Sequence, residues 1–318
     1  MRIAFVSCLF NRVFAQQPVW GRIAQQAPDH LVLLGDSYYL DLKGPKPPQD
    51  MQDFEFAQHL FDLQNEALAQ PDFAALVAAL PPGHVHAIWD DHDFLWNDAE
   101  GAEARAQQHG EKIRISTAFF EAFRAALAQG LVAGSYPAVV NDALFWDPAQ
   151  PELTTPSIEL EPNLWLHLSD GRTHRTRTWR LRESQRTIFG AAQRDRFTQA
   201  IVAQPQALHL WASGSTIGGY QHYPRDLDWL EGLAANQRLL VLSGDIHRNR
   251  LDGFFTGGFP LHEATSSGAA VRDAVVIGAE RQNYGLLDID AQKVTIRLFK
   301  REHVEARRVL DRHTWLPV

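Results

Sequence analysis

The sequence predicts an α/β protein whose strands share one chemically active rim. Short β-type runs alternate with segments of helical periodicity along most of the 318 residues. Four of those runs stop on metal-type donors, at Cys8, Gly35-Asp36, Asp90-Asp91-His92 and Gly244-Asp245-Ile246-His247. Open α/β sheets place their chemistry at the carboxyl ends of strands, so parallel alignment of these runs would gather the donors in one place. A chain that is 45% hydrophobic and 21% charged can bury a large core, and a single domain over residues 1–318 is the expectation.

Residues 2 to 7 form a compact β-type run that exits at Ser7-Cys8, and Trp20 to Gln26 follows as a helical segment. A lone cysteine in such a place is either a small buried hydrophobe or a soft ligand. Leu31 to Leu34 makes a second strand closed by Gly35-Asp36, where glycine lets the backbone turn sharply and aims the carboxylate at a cleft. The proline-rich piece from Lys43 to Pro48 reads as a loop. Helices follow over Asp53 to Gln70 and Asp72 to Leu80, the latter stopped by Pro81-Pro82-Gly83.

The third strand, His84 to Trp89, runs into Asp90-Asp91-His92-Asp93 with Asn97 and Asp98 close behind. Four acids, a histidine and an amide among large apolar side chains ask for a cation, because buried charges are rare unless paired or metal-bound. A long helix is predicted over Glu103 to Gln129, and residues 147–163 form a proline-spaced surface excursion. Leu164 to Ser169 is a strand ending at Asp170-Gly171-Arg172-Thr173-His174-Arg175-Thr176-Arg177, whose arginines suit bidentate capture of phosphate oxygens. A helix from Phe189 to about Gln204, a strand Ala207 to Ala212, a helix Trp229 to Ala235 and a strand Arg238 to Ser243 complete the series. Tyr284 to Ile289 and Lys293 to Phe299 then read as a hairpin at a sheet edge.

Composition excludes several classes. The net charge of −8 leaves no basic footprint for nucleic acid. One cysteine permits no internal disulfide. No run approaches the roughly 20 apolar residues that cross a bilayer, and the N-terminal run is too short for a signal segment, so a cytoplasmic location without membrane association is expected. Carboxylates prefer hard cations whereas thiolate, phenolate and imidazole suit a transition metal, so the mixed donors predict two unlike ions.

The ordered motifs Ser-Cys (7–8), Gly-Asp-x-x-Tyr (35–39), Trp-Asp-Asp-His-Asp (89–93) with Asn97, Asp170-x-Arg172-x-x-Arg175, Phe-Gly-Ala-Ala-Gln (189–193) and Ser-Gly-Asp-x-His (243–247) resemble the alkaline phosphatase D, or PhoD-like, metallophosphatases. The resemblance spans roughly residues 3 to 300. It implies a calcineurin-like metallophosphoesterase architecture: two mixed sheets packed as a sandwich with helices outside, in four αββα layers. It also implies Fe3+ beside a harder ion such as Ca2+. Carried over, Cys8, Asp36, Tyr39 and His247 hold the first metal, Asp36 bridges, and Asp91 and Asp245 serve the second. Asp90 and Asn97 are outer contacts or alternative ligands, and Asn97 is also a candidate for touching substrate. The family pattern usually has Glu where Asp93 stands and commonly Asn where Asp98 stands.

The activity implied is hydrolysis of a small phosphate ester, either a monoester or a diester. A water made acidic by two cations attacks phosphorus as hydroxide, His92 protonates the leaving oxygen or holds the phosphate, and Arg172 or Arg175 takes up equatorial charge. Trp89, Trp96, Trp211 and Tyr220 are candidate walls for a nucleoside or lipid group, though core packing is the ordinary fate of such rings. The alternative is a non-catalytic descendant that binds a phosphorylated ligand or a protein partner.

Overall fold

The computed structural model describes residues 1–130, 135–148, 152–176 and 181–318. Arg177 of the arginine cluster and residues 149–151 of the proline-spaced excursion lie outside the described residues. The first half of the chain runs β1 (Arg2–Val6), α1 (Val19–Gln25), β2 (His30–Leu34), α2 (Asp53–Leu68), α3 (Pro71–Ala79), β3 (Val85–Ile88), α4 (Asp91–Phe94), α5 (Gly101–Ala106), α6 (Gly110–Ala128) and α7 (Ala143–Trp146). It continues through β4 (Ser157–Glu161), β5 (Leu164–Leu168), α8 (Gly190–Val202), β6 (Leu208–Ser213), α9 (Ile217–Tyr220), α10 (Pro224–Asn236) and β7 (Arg238–Ser243). The remainder is β-rich: β8 (Asn249–Phe254), β9 (Leu261–Ser266), β10 (Val271–Ala274), β11 (Ile277–Arg281), β12 (Asn283–Ile289), β13 (Lys293–Lys300) and β14 (His303–Asp311).

Two six-stranded mixed sheets result, ordered β14-β13-β12-β1-β2-β3 and β4-β5-β6-β7-β9-β8, with β10 and β11 as a separate hairpin. The strands β1, β2 and β3 are parallel, as are β5, β6, β7 and β9. The alternation of strand side chains builds the layers. Ile3, Phe5, Val32 and Leu34 of the first sheet meet Leu166, Leu210, Leu240 and Leu242 of the second in one buried cluster. The opposite faces of those strands, Ala4, Val6, Leu31 and Leu33, pack with Phe56, Leu60, Phe119 and Phe123 of α2 and α6. On the far side Trp211, Leu239 and Val241 pack with Phe197 and Leu230 of α8 and α10. The arrangement is the four-layer αββα sandwich.

Several elements differ from expectation. The helix predicted over 103–129 is two, broken at Gln107–His109, where Gln108 takes a left-handed φ of 66° and Gly110 begins the second piece. The helix expected at Trp229 starts a turn earlier because Pro224 occupies its first position, where a missing N–H costs nothing. The β12–β13 hairpin is not an edge, since β12 pairs with β1 and β14 covers β13. β4 emerges from the proline-spaced excursion as an antiparallel edge strand on β5. No helix among the described residues is long and apolar enough to cross a membrane.

Candidate metal centre

The carboxyl ends of β1, β2, β3, β5, β6, β7 and β9 crowd together so closely that the backbone is shaped by the contact. Gly35 has φ +94° and a Cβ there would lie 2.6 Å from Asp90 Cβ, so only glycine fits this turn. Gly214, past β6, presses on the Asp90 carboxylate, which leaves no room for a side chain. Cys8, Asp36, Asp245 and His247 all adopt left-handed φ values between 52° and 72°. Such conformations cost L-residues roughly 1–2 kcal/mol each and cluster where surrounding structure over-determines them. Each turn directs its donor off the strand axis toward the shared pocket.

Asp36, Asp91 and His92 can each bring a ligand atom within 4.8 Å of the other two, and so can Asp90, Asp91 and Asp245. Asp91 belongs to both groups. Two buried carboxylate oxygens, Asp36 Oδ1 and Asp90 Oδ2, have no hydrogen-bond partner, and Asp91 Oδ1 has only the Arg172 guanidinium, 3.3 Å away. An acceptor stranded in this way is costly unless a cation satisfies it, so the donor set fits metal ions. The Cys8 thiol donates to Asp36 Oδ2 at 3.3 Å and lies 3.2 Å from Ser267 Oγ. Tyr39 Oη is 3.5 Å from His247 Nε2, and the Tyr39 ring packs against His92 at 4.2 Å between centroids.

Arg172 is the counter-charge. Only 2% exposed, it donates from Nε to Asp90 Oδ1 at 2.6 Å and sets Nη2 3.3 Å from Asp91 Oδ1. Burial works against the charge on Asp91, but Arg172, His92 and the Asp98 amide outweigh it and hold this carboxyl below its usual range. Asp36 and Asp90 are pushed up, chiefly by burial, with Cys8 adding to the effect at Asp36 and Arg172 opposing it at Asp90. Asp245 opens to solvent on one side; desolvation by the surrounding chain and the charges of Asp90 and Asp91 still lift it to about 6. Burial raises the Cys8 thiol to about 11 and moves the Tyr39 phenol upward too, so both are neutral without a cation beside them.

His92 is held from below. Its Nδ1–H donates to Asp41 Oδ1 at 2.6 Å, while Asp41 Oδ2 accepts from the Asn97 amide at 2.9 Å. Burial alone would lower the imidazole, but Asp36, the Asp41 hydrogen bond and Asp91 reverse that and raise it to about 10. Asn97 itself is exposed at the rim, its side chain donating to Asp98 Oδ2 at 2.8 Å. Arg175 reaches Ser215 Oγ at 2.5 Å and lies over the Tyr223 ring, and its buried Nε has no partner.

The structure thus brings Asp36, Asp91, His92 and Asp245 into ligand range, with Cys8, Tyr39 and His247 lining the same pocket. It adds three residues that sequence reasoning did not assign. Asp41 lies five positions past Asp36, in a run that showed only its strand end. Ser267 follows β9, a strand with no acidic exit to mark it. Asp93 turns inward, accepting from the amides of Ser37, Tyr38 and Asp90, and so pins the β2 turn to the β3 turn.

Among solved structures the chain is similar to PhoD, with a TM-score of 0.68 and 14% identity over 100% of this chain and 71% of that one. A predicted phosphoesterase of Streptococcus pneumoniae TIGR4 aligns at 9% identity over 98% of this chain and 97% of that one, TM-score 0.36. Entamoeba histolytica Vps29, solved with Zn2+, aligns at 11% identity over 98% and 99%, TM-score 0.36. No protein-family model matches the sequence, and no curated protein matches it.

Proposed function

We propose that this chain is a metal-dependent phosphoric ester hydrolase acting on phosphomonoesters, phosphodiesters or both. The observation that carries the reading is the pair of overlapping donor groups that share Asp91 and leave the buried oxygens Asp36 Oδ1 and Asp90 Oδ2 without a partner. Asp36 and Asp91, beside Cys8, Tyr39 and His247, would hold one ion, and Asp90, Asp91 and Asp245 a second, which leaves His92 free for proton delivery. Thiolate and phenolate donors favour Fe3+ in the first position, and an all-carboxylate set favours Ca2+ or another hard cation in the second. Bound there, such ions supply Lewis acidity that lowers the pKa of water and offsets phosphoryl charge.

The protein's own groups do the rest. Arg172 fixes Asp90 and Asp91 and adds positive charge to the pocket. Arg175, with Nε unpaired, would donate to a phosphoryl oxygen. His92, oriented through Nδ1 by Asp41, delivers a proton to the leaving oxygen from its other nitrogen. Asn97 contacts the ester at the rim. Metal analysis of the purified protein, together with hydrolysis of a panel of phosphomonoesters and diesters, tests the reading. A protein that carries stoichiometric metal, binds phosphate and turns over no ester is a binder and overturns it.

A further inference from the structure

Four aromatic residues are candidate walls for a bound group, and they do not share one fate. Trp89, Trp211 and Tyr220 are at most 1% exposed, whereas Trp96 is partly open to solvent. Trp96 lines a cleft of about 450 Å3 together with Asp41, Lys43, Pro47, Pro48 and Asn97. This volume lies within the range of small-molecule sites. The cleft lies one side chain away from His92, because Asp41, which lines it, accepts from His92 Nδ1 and from the Asn97 backbone N–H.

Its outer wall is anchored. The Lys43 carbonyl accepts from Arg12 Nη1, and Arg12 is itself gripped by both Glu66 oxygens at 2.8 Å. Gly44 abuts His59, whose Nε2 meets the Leu40 carbonyl at 2.8 Å. Lys46 pairs with Glu55 at 2.6 Å, leaving Lys43 as the ammonium of this wall with no ion pair among the described residues. One indole, two proline rings and a free ammonium make a slot for a flat ring that carries hydrogen-bond acceptors.

We propose that this cleft receives the leaving group of the ester and that the group is a nucleoside, its base stacked on Trp96 and its acceptors facing Lys43. The assignment rests on the esterase reading and names the substrate class of that same site. An alkyl chain has no use for the ammonium, and an apolar tail is therefore the competing outcome.

The test compares the metal-loaded protein on adenosine 5′-monophosphate, glycerol 2-phosphate and decyl phosphate, with adenosine binding followed by calorimetry. The nucleotide is expected to exceed glycerol phosphate in kcat/KM by about tenfold, the lower part of what base stacking on an aromatic contributes. Trp96→Ala should lower that ratio about tenfold through KM and abolish adenosine binding, and Trp96→Phe should retain both. A Trp96→Ala ratio equal to that of the parent, or a preference for decyl phosphate, overturns the proposal. Should no ester be hydrolysed, the esterase reading fails, and calorimetry still decides the cleft: adenosine heat lost in Trp96→Ala upholds it, and no heat in the parent overturns it.

Discussion

Arg172→Met probes whether the pocket is assembled around unmet charge. The arginine is buried to 2% exposure between Asp90 and Asp91, which are 2% and 3% exposed, and it is the ion-pair partner of both. Removing one member of a buried ion pair leaves the other charge uncompensated at a cost of about 3–5 kcal/mol. Here two carboxylates lose a partner, so the metal-free variant should fall at the upper end, about 5 kcal/mol below the parent. At about 2–4 °C per kcal/mol this is a drop of about 10–20 °C in Tm. A bound cation gives the same carboxylates a new partner, so the deficit should shrink in saturating Mn2+ by at least about 1 kcal/mol. Urea denaturation of both proteins, in EDTA and in Mn2+, reads the two numbers. A loss below about 1 kcal/mol, or an equal loss in EDTA and in Mn2+, refutes the argument that Asp90 and Asp91 are cation ligands held ready by Arg172.

Further outcomes follow from the same geometry. Asp91→Asn removes the carboxylate common to both donor groups and should abolish metal retention and hydrolysis together; retained activity on an aryl phosphate rejects the assignment. Gly35→Ala forces a Cβ into Asp90 at a φ of +94° and should cost more than 1 kcal/mol while lowering metal content, and a variant with parental Tm and metal content would contradict the close approach. Tyr39→Phe should bleach any visible charge-transfer band of an iron-loaded preparation, and an active preparation that is colourless with divalent ions alone removes the iron assignment. His86, facing His30, His84 and Arg124, is lowered to about 3 mainly by burial. The unfolded chain takes up that proton near pH 6.5 and the folded one does not, so this histidine contributes stability above pH 6.5 that is lost as pH falls toward 3. His86→Gln should flatten the loss of stability between pH 6.5 and 4, measured by urea midpoints, and an unchanged slope sinks the claim.

The strand ends were legible because each of them breaks a hydrophobic run with a residue that has no structural reason to be there. Leu31 to Leu34 stopping at Gly35-Asp36, and Leu239 to Leu242 stopping near Asp245, announce both the strand and its chemical exit in one pattern. β9 shows why some of the site stayed hidden. Its sequence Leu-His-Glu-Ala-Thr-Ser mixes polar and apolar residues, yet all six are buried. His262 Nε2 meets the Trp315 carbonyl at 3.0 Å, and Glu263 Oε1 accepts from the Ile217 amide and the Ser243 hydroxyl, both at 2.8 Å. Those partners come from 20 or more residues away, so no local window contains the signal. Asp41 and Ser267 are the same case within the site: each matters only through a neighbour that the fold supplies.

What separates this pocket from an ordinary acidic cluster is the direction in which its charges are balanced. An exposed cluster would relax by solvation, but Asp36, Asp90 and Asp91 are each at most 3% exposed and face one arginine and one histidine. Burial favours neutral carboxyls at Asp36 and Asp90, while Arg172 and His92 insist on a charged Asp91. Packing offers no relief, because the glycines at 35 and 214 have already let the backbones approach as far as sterics allow. The chain therefore accepts left-handed turns at four donors in order to hold together charges that repel, an arrangement that a search for stability alone would have replaced with apolar side chains. Positive charge from outside the polypeptide relieves the repulsion and the unpaired oxygens at once.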